Sequence, residues 1–189
     1  MKRHYEITSI LLFFALCLPS VLYADPSPKP TPLSSPASSL YEEESCFSPD
    51  ENCGERLKKF IHSAAKSLDI AVYDINLESI RIEIIAQSKK IPVRLLVDHK
   101  QSSADKTSSV PELIKNGVIV KYGRQKGIMH NKFVLVDGTL LETGSFNFTD
   151  GADLGNSENQ VYLSNRPLVE KFKARFEKLW FSGRPSESQ

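Results

Sequence analysis

Two short stretches carry the most informative pattern of this chain: MHNKFVLVD at residues 129–137 and GSFN at residues 144–147. Residues 132–136 form a mostly apolar run that predicts a buried β-strand. Side chains two residues apart on a strand point to the same face of its sheet. His130 and Lys132 are therefore expected to project together.

Ser145 and Asn147 form a second pair of this kind if their segment is extended, and four polar side chains then converge. A histidine beside a lysine is costly to bury unless an anion is expected, because the ammonium opposes protonation of the ring and needs its own partner. A phosphodiester supplies that partner. Lys132 offers charge, Asn147 an amide donor and Ser145 a hydroxyl. A neutral His130 can then attack phosphorus, so the pattern predicts a phosphodiester site.

The neighbours of these four side chains are predicted to be structural. Asp137 is expected to cap the turn before Gly138 or to pair with a basic side chain, rather than take part in chemistry. Phe146 and Phe148 are expected to pack in the core.

Helical and strand patterns alternate around the motif and predict an α/β fold with a mixed, mostly parallel β-sheet flanked by helices. Helices are predicted at 55–67, 78–89, 111–116 and 167–180. Strands are predicted at 68–75, 91–97, 118–122, 132–136, 140–143 and 160–163. The last helix is expected to bury one stripe, formed by Leu168, Phe172, Phe176 and Leu179.

Residues 1–24 are typical of a targeting segment. Lys2 and Arg3 precede an apolar run at 10–18, and Ala24 offers a small residue for cleavage. The run is too short for an ordinary membrane span. We predict a signal peptide cleaved after Ala24, with an N-terminal membrane anchor as the alternative. The protein is accordingly expected to be exported, either periplasmic or secreted.

Residues 25–40 contain five prolines among serines and predict an extended linker. The folded catalytic domain is expected at 41–183, which is long enough for a single core. Residues 184–189 are expected to form a flexible tail.

The charge of the chain is nearly balanced, with 24 Lys plus Arg against 23 Asp plus Glu. This excludes an extremely basic protein, so affinity for a polyanion must come from where the charges lie. Lys121, Arg124 and Lys126 form a basic approach to His130 and are predicted to contact a nucleic-acid backbone. An ordinary solvated loop is the alternative on local sequence alone.

Cys46 and Cys53 are separated by a short, turn-prone stretch. In an oxidising compartment the two cysteines are predicted to form a local disulfide. A zinc site is the alternative, but it needs two further ligands and His62 lies at no familiar spacing.

His130, Lys132 and Asp137, followed by GSFN at 144–147, resemble the signature motif of the phospholipase D superfamily. FNFT at 146–149 and NSEN at 156–159 are similar to the small Nuc-like bacterial endonucleases of that superfamily. The similarity extends from Cys46 to about Trp180. It implies a phospholipase D-like fold with one motif, including Gly144, in each chain.

The resemblance implies that His130 forms a covalent phosphohistidine and that Lys132 and Asn147 bind phosphate. It also implies that Ser145 assists and that Glu158 orients the imidazole. A carboxylate on one ring nitrogen would fix the tautomer and leave the other nitrogen free to attack. Larger members carry two motifs, because the leaving oxygen must be protonated while the first histidine attacks. One motif therefore predicts a homodimer.

The expected activity is that of a metal-independent, sequence-nonspecific endonuclease acting on DNA, with RNA as a further substrate. No cofactor or metal is expected, since Lys132 and Asn147 of both protomers supply the positive field. A hydrolase of membrane phospholipids is one alternative, and a catalytically silent nucleic-acid-binding module is another. A serine hydrolase is disfavoured, because the residues around Ser145 lack the glycine spacing of a nucleophile elbow.

Overall fold

The computed structural model describes residues 43–123 and 127–186. The predicted targeting segment at 1–24 and linker at 25–40 lie outside these residues, as do Arg124 and Lys126. Within residues 43–123 and 127–186, no helix is long and apolar enough to cross a membrane.

Eight strands and six helices make up the described part of the chain. The strands are β1 (Glu44–Ser48), β2 (Leu68–Val72), β3 (Val93–Val97), β4 (Ile119–Tyr122), β5 (Lys132–Val136), β6 (Leu140–Gly144), β7 (Glu158–Leu163) and β8 (Arg184–Pro185). The helices are α1 (Cys53–His62), α2 (Glu78–Ser88), α3 (His99–Ala104), α4 (Val110–Lys115), α5 (Asp150–Leu154) and α6 (Arg166–Ser182).

All eight strands form one mixed sheet in the order β1-β7-β6-β5-β2-β3-β4-β8. The predicted mixed α/β architecture is confirmed, but the expectation of a mostly parallel sheet is wrong. Only the β2–β3 and β3–β4 pairs are parallel, and the other pairs are antiparallel. The reason is the length of the connections. Parallel neighbours need a long crossover, which α2 and the α3–α4 segment provide, whereas three residues join β5 to β6 and permit only a hairpin.

Helices cover both faces of the sheet, so its central strands are buried on both sides. On one face the larger core contains Leu57 of α1, Ile80 of α2 and Val134 of β5. On the other face, α6 packs Phe176 and Leu179 against β5 and its neighbours. The predicted apolar stripe of the last helix is confirmed, with Leu168 and Phe172 partly buried against the same core.

The first helix ends five residues earlier than its apolar pattern predicts, at His62 instead of Ser67. The reason lies outside the helix. The backbone N–H groups of Ala65, Lys66 and Ser67 donate to the carboxylate of Asp137 at the far end of β5. A tertiary contact therefore replaces the last helical turn.

Cys46 and Cys53 form a disulfide, as predicted, and both are fully buried. The bond joins β1 to the first residue of α1. The same region is fixed to the segment before β7. Ser48 donates its hydroxyl to the carbonyl of Ala152, and the Gly54 N–H donates to the Asp153 carboxylate at 2.7 Å.

The expected flexible tail at 184–189 is wrong in its first part. Arg184 and Pro185 form β8, which pairs antiparallel with β4, and the Ser186 N–H donates to Val120 O. Proline is tolerated here because β8 is an edge strand. The segment at 184–189, RPSESQ, is short and contains no apolar residue besides its proline, so its sequence carries no strand signal of its own.

Candidate active site

The polar residues of the motif lie together at one end of the central strands, which we call the active edge of the sheet. His130 lies two residues before the first residue of β5, Ser145 directly follows β6 and Glu158 begins β7. Tyr73 directly follows β2. Because β5 runs antiparallel to both β2 and β6, these strand ends meet at the same edge. The predicted convergence is thus a consequence of antiparallel pairing.

His130 and Lys132 are in direct contact. The Lys132 Nζ lies 3.3 Å from each ring nitrogen of His130 and 3.2 Å from its carbonyl oxygen. The pKa of His130 is lowered by partial desolvation of the ring and then by the charge of Lys132, with Asp98 opposing both. A ring that accepts from an ammonium must be neutral at that nitrogen, which is the form a nucleophile needs.

Lys132 is a buried cation, with only 7% of its surface exposed. Burial lowers its pKa, and the nearby carboxylates of Glu158 and Asp74 oppose that shift. Among the described residues, no carboxylate forms an ion pair with Lys132. An ammonium held at the edge of a sheet with no direct counter-charge is suited to bind an anion.

Ser145 and Glu158 are hydrogen-bonded to one another, with Ser145 Oγ donating to Glu158 Oε2 at 2.5 Å. Ser145 Oγ also accepts from the Asn159 N–H, and Asn156 Nδ2 donates to the other Glu158 oxygen. The hydrogen bonds of Glu158 thus go to Ser145 and Asn156. The expected contact with the imidazole of His130 is not formed within one chain.

Gly144 permits the approach of β6 to β7 that sets this pair in place. A Cβ atom on Gly144 would overlap the carbonyl oxygen of Asn159 and lie 2.8 Å from its carbonyl carbon. Beside it, the Ser145 N–H donates to Asn159 O at 3.0 Å. Any larger residue would push the strands apart exactly where Ser145 is held.

Asn147 is held between two buried anchors, Phe146 and Phe148, both fully buried as predicted. Phe148 fixes the segment to the end of β2. Its N–H donates to Asp74 O, and its carbonyl accepts from the N–H groups of Asn76 and Leu77. The Asn147 Oδ1 is buried without a hydrogen-bond partner among the described residues. Buried polar atoms are ordinarily paired, so a ligand group that donates a hydrogen bond can meet this oxygen. Toward a phosphate oxygen, only the Asn147 Nδ2 group can donate.

Asp137 lies at the opposite end of β5 from His130. Its backbone is left-handed, with φ of 56°, and its carboxylate accepts from three consecutive backbone N–H groups at 65–67. The expectation of a structural role agrees with this geometry, but neither expected partner is used. The carboxylate fixes the loop before β2 instead of capping its own turn or pairing with a basic side chain.

Sequence reasoning missed Tyr73 and Gln101. The Tyr73 ring lies 4.6 Å from the His130 ring, and the Lys132 Nζ lies 5.3 Å from its centre. The Tyr73 hydroxyl donates to Gln101 Oε1, while Gln101 Nε2 donates to Asp74. Burial raises the pKa of Asp74. Tyr73 therefore supports the His130–Lys132 pair, and Gln101 fixes Tyr73.

Asp98 was also missed, although it fixes the approach to His130. It is 5% exposed and follows β3, and its two carboxylate oxygens accept from the N–H groups of Gln101 and Met129 at 2.9 Å each. Met129 is the neighbour of His130 and is itself buried. An aspartate before a polar helix signals an N-cap, but nothing local indicates the second bond.

Lys121 does not lie beside His130. Its Nζ donates to Trp180 O and lies 4.9 Å from the centre of the indole ring, on the α6 side of the sheet. The prediction that Lys121 forms part of a basic approach to His130 is therefore wrong. The register of β4 places Lys121 on the face of the sheet opposite to Lys132. The structure leaves Arg124 and Lys126 undescribed.

A metal site is not evident in the described ranges, where no three His, Cys, Asp or Glu residues form a group that could hold an ion. Metal independence stays a prediction that requires an activity measurement. The polar groups available for an anion are those of Lys132, Asn147 and Ser145.

Comparison with known proteins places this geometry in a family. Residues 57–180 match the family described as "Cardiolipin synthase, PLD-like domain". The chain belongs to the phospholipase D superfamily. Its resemblance to the Nuc-like, single-motif branch is confirmed by Nuc from Salmonella typhimurium, described as a phospholipase D family member. That structure is 27% identical, with a TM-score of 0.71 over 77% of this chain and 97% of that one.

Other similar proteins carry different names. Mitochondrial cardiolipin hydrolase from Xenopus tropicalis is 31% identical over 95% of this chain and 80% of its own length. Phospholipase D from Rickettsia prowazekii is 33% identical over 72% of this chain and 65% of its own length. NucT from Helicobacter pylori is 24% identical and shares the fold, with a TM-score of 0.70 over 77% of this chain and 99% of that one. This phospholipase D superfamily chain is a phosphodiesterase of the hydrolase class.

Proposed function

We propose that this phosphodiesterase is a metal-independent, sequence-nonspecific endonuclease that cleaves DNA, and also RNA, as a homodimer. The contact between the His130 ring and the Lys132 ammonium carries the proposal. It supports a neutral nucleophile beside a buried charge that can hold a phosphate oxygen. The resemblance of the motif to the small Nuc-like endonucleases favours a nucleic-acid substrate, and the structural likeness to Nuc at 27% identity supports that branch.

The reaction proceeds in two displacements at phosphorus. A neutral ring nitrogen of His130 attacks, a P–N bond forms, and the P–O bond to the leaving group breaks. His130 of the second protomer donates its proton to the leaving oxygen. That histidine then accepts a proton from water, which attacks phosphorus and breaks the P–N bond, so the enzyme returns to its starting state. Lys132 and Asn147 hold the phosphate oxygens in both steps.

Two identical histidines that do opposite tasks must hold different numbers of protons. They titrate as a coupled pair, so kcat/KM is expected to follow a bell-shaped pH profile. A monotonic profile across the histidine range would count against the division of labour.

Export is part of the same proposal. The Cys46–Cys53 disulfide fits an oxidising compartment and supports a periplasmic or secreted enzyme, with anchoring through the N-terminal segment as the alternative. Cell fractionation, with thiol alkylation before lysis, tests this. Recovery of the protein as a reduced cytoplasmic thiol would contradict it.

The decisive experiment compares substrates in excess chelator. Plasmid DNA, RNA and phospholipid vesicles are incubated with the wild type, with His130→Asn, and with His62→Asn as the matched control. His62 pairs with Glu83 on α2, away from the site. We expect chelator-resistant DNA cleavage that His130→Asn abolishes and His62→Asn retains. Loss of all activity in chelator, or retention in His130→Asn, would refute the mechanism.

A mixed dimer tests the second histidine. Wild-type and His130→Asn subunits carrying different tags are expressed together, and the dimer with one of each is isolated. Because each half supplies one histidine, this dimer is expected to lose cleavage as fully as the doubly substituted dimer. Half of the wild-type activity, or a monomer in solution, would contradict the shared site.

Hydrolysis of membrane phospholipids is the second candidate. The match to a protein named mitochondrial cardiolipin hydrolase extends over 95% of this chain and favours it. Cardiolipin vesicles cleaved faster than DNA would make it the preferred function. The alternative of a catalytically silent nucleic-acid-binding module is set aside, because the family assignment makes the chain a phosphodiesterase.

A further inference from the structure

A cleft of about 360 Å³ lies among residues of α3, α4, β4 and β8. Its wall includes His99, Tyr122, Arg184 and Ser186. His99 and Arg184 are exposed, and Tyr122, which contacts both, is half-buried. The centres of the His99 and Tyr122 rings are 4.8 Å apart. The guanidinium carbon of Arg184 lies 5.9 Å from the centre of the Tyr122 ring.

The register of the sheet aligns this cleft with the active site. Lys132, Val72, Val97 and Tyr122 are successive Cα partners across four neighbouring strands, and Arg184 follows Tyr122 on the fifth. Partners in such a row point to the same face of a sheet. With strands about 4.8 Å apart, Tyr122 lies about 14 Å from Lys132 along the row.

The chemistry of the cleft suits a nucleotide. Its described wall has no carboxylate, and Arg184 forms no ion pair with any acidic residue of the described ranges. Planar imidazole and guanidinium groups stack on bases, and guanidinium also binds phosphate. By contrast, the cleft beside β1 and α1 contains three glutamates against two cations, Arg56 and Lys59, and Arg56 is already paired with Glu44.

Ser186 gives an independent indication of a ligand. Its side chain is 2% exposed, yet its hydroxyl oxygen has no hydrogen-bond partner within residues 43–123 and 127–186. A buried hydroxyl without a partner is uncommon, because leaving it unpaired costs free energy. A polar ligand group that enters the cleft can supply the missing bond.

We propose that the His99–Tyr122–Arg184 cleft is a subsite for a single-stranded nucleic-acid chain whose scissile phosphate lies at Lys132. The proposal rests on the proposed endonuclease function. Along a stacked strand at about 3.4 Å per nucleotide, a separation of about 14 Å corresponds to about four nucleotides, and to fewer in an extended strand. Arg184 binds a phosphate, and His99 stacks on a base.

Two substrates separate the subsite from the chemistry. One is a single-stranded DNA oligonucleotide long enough to span the row, and the other is a nucleoside p-nitrophenyl phosphodiester, which occupies only the site at Lys132. We compare the wild type with Arg184→Gln, His99→Ala and, as the matched control, Arg175→Gln. Arg175 is exposed on α6, which packs against the opposite face of the sheet.

The ratio of kcat/KM for the oligonucleotide to kcat/KM for the diester is the deciding quantity. We expect His99→Ala to lower this ratio about tenfold, the effect of one lost stacking contact. Arg184→Gln should lower it as well, and should reduce the slope of log(kcat/KM) against log salt by about 0.7, the value for one lost phosphate contact. Arg175→Gln should change neither quantity.

An unchanged ratio in both subsite variants overturns the proposal, provided the wild type cleaves the oligonucleotide. If the wild type cleaves only phospholipid vesicles, the endonuclease function fails first, and this result is distinguishable from an unchanged ratio. Circular dichroism of each variant checks that the fold is retained. A Tyr122→Phe variant keeps the ring between the two subsite groups and should keep the ratio.

Discussion

Substitution of Gly144 by alanine should push β6 and β7 apart at the active site. The added Cβ would lie 2.8 Å from the Asn159 carbonyl carbon and 3.0 Å from the Gln160 Cα. Carbon atoms pack at about 3.5–4.0 Å, so β6 and β7 must move apart by roughly 1 Å. The Ser145 N–H bond to Asn159 O, now 3.0 Å, would then be lost.

These two changes should lower the free energy of unfolding. Overpacking costs about 1–3 kcal/mol and a lost backbone hydrogen bond about 1 kcal/mol, so unfolding should become easier by about 2–4 kcal/mol. For a domain of this size the melting temperature should fall by roughly 5–15 °C. Ser145 would also move relative to His130, and a displacement of about 1 Å can cost about a hundredfold in rate.

The assay measures the melting temperature and kcat on the diester substrate for Gly144→Ala and Gly151→Ala. Gly151 is the matched control, because a Cβ there meets nothing within 4 Å and the residue lies in α5. Alanine is a better helix former than glycine, so Gly151→Ala should be neutral or stabilising by about 0.5–1 kcal/mol. A Gly144→Ala protein with wild-type melting temperature and kcat would show that β6 and β7 tolerate a Cβ atom at this position.

Three further predictions concern single contacts. The lower of the two apparent pKa values of the His130 pair, followed by NMR titration, should lie below the usual histidine value and rise in Lys132→Met, because the neighbouring cation is removed. Activity should be lost as the pH falls through that pKa, and a pKa that Lys132→Met leaves unchanged would contradict this. Tyr73→Leu should lower kcat about tenfold and move the acidic limb of the pH profile, whereas Tyr73→Phe keeps the ring against His130 and should lose less; equal losses would mean that the ring contact is unimportant. Asp137→Ala should lower the free energy of unfolding, measured by chemical denaturation, by about 2–4 kcal/mol, because a charged acceptor of three backbone N–H groups is lost. The kcat per folded molecule, measured with active-site titration, should be retained.

The strands that build the site were predictable because their signals are local. Residues 132–136 form β5 exactly where the apolar run predicts it, and GSFN directly continues β6. The stripe of α6 was equally clear, because its aromatic residues recur at helical spacing. For β5 and α6 the local structure and the burial agree with the periodicity, whereas in α1 the contact with Asp137 ends the helix before its apolar pattern does.

The missed elements have weak or misleading local signals. α3 has the sequence HKQSSA and no apolar face, and it is held by the side chain of Asp98 as N-cap. β1 exists because it pairs with β7 and is joined to α1 by the disulfide. The direction of the strands depends on the lengths of connections between them, which an alternation of helix and strand patterns does not reveal.

The motif located the site, but not all of its contacts. His130 and Lys132 meet as expected, because they are two residues apart at one strand end. Tyr73 and Gln101 come from other strands and helices, and no spacing in the chain connects them with His130. Glu158 was expected at the imidazole and instead bonds Ser145, since pairing of β6 with β7 brings these two side chains together.

The position of Asp137 implies that, within the same motif, this residue is retained for the fold and His130 for the chemistry. Its carboxylate holds the loop before β2, at the end of β5 away from the reacting groups. A related protein without catalytic activity could replace His130 and keep its fold. Replacement of Asp137 would remove the acceptor that holds the loop at 65–67. Lineages that keep the aspartate without the histidine are therefore expected to be intact scaffolds recruited to binding, rather than decaying genes.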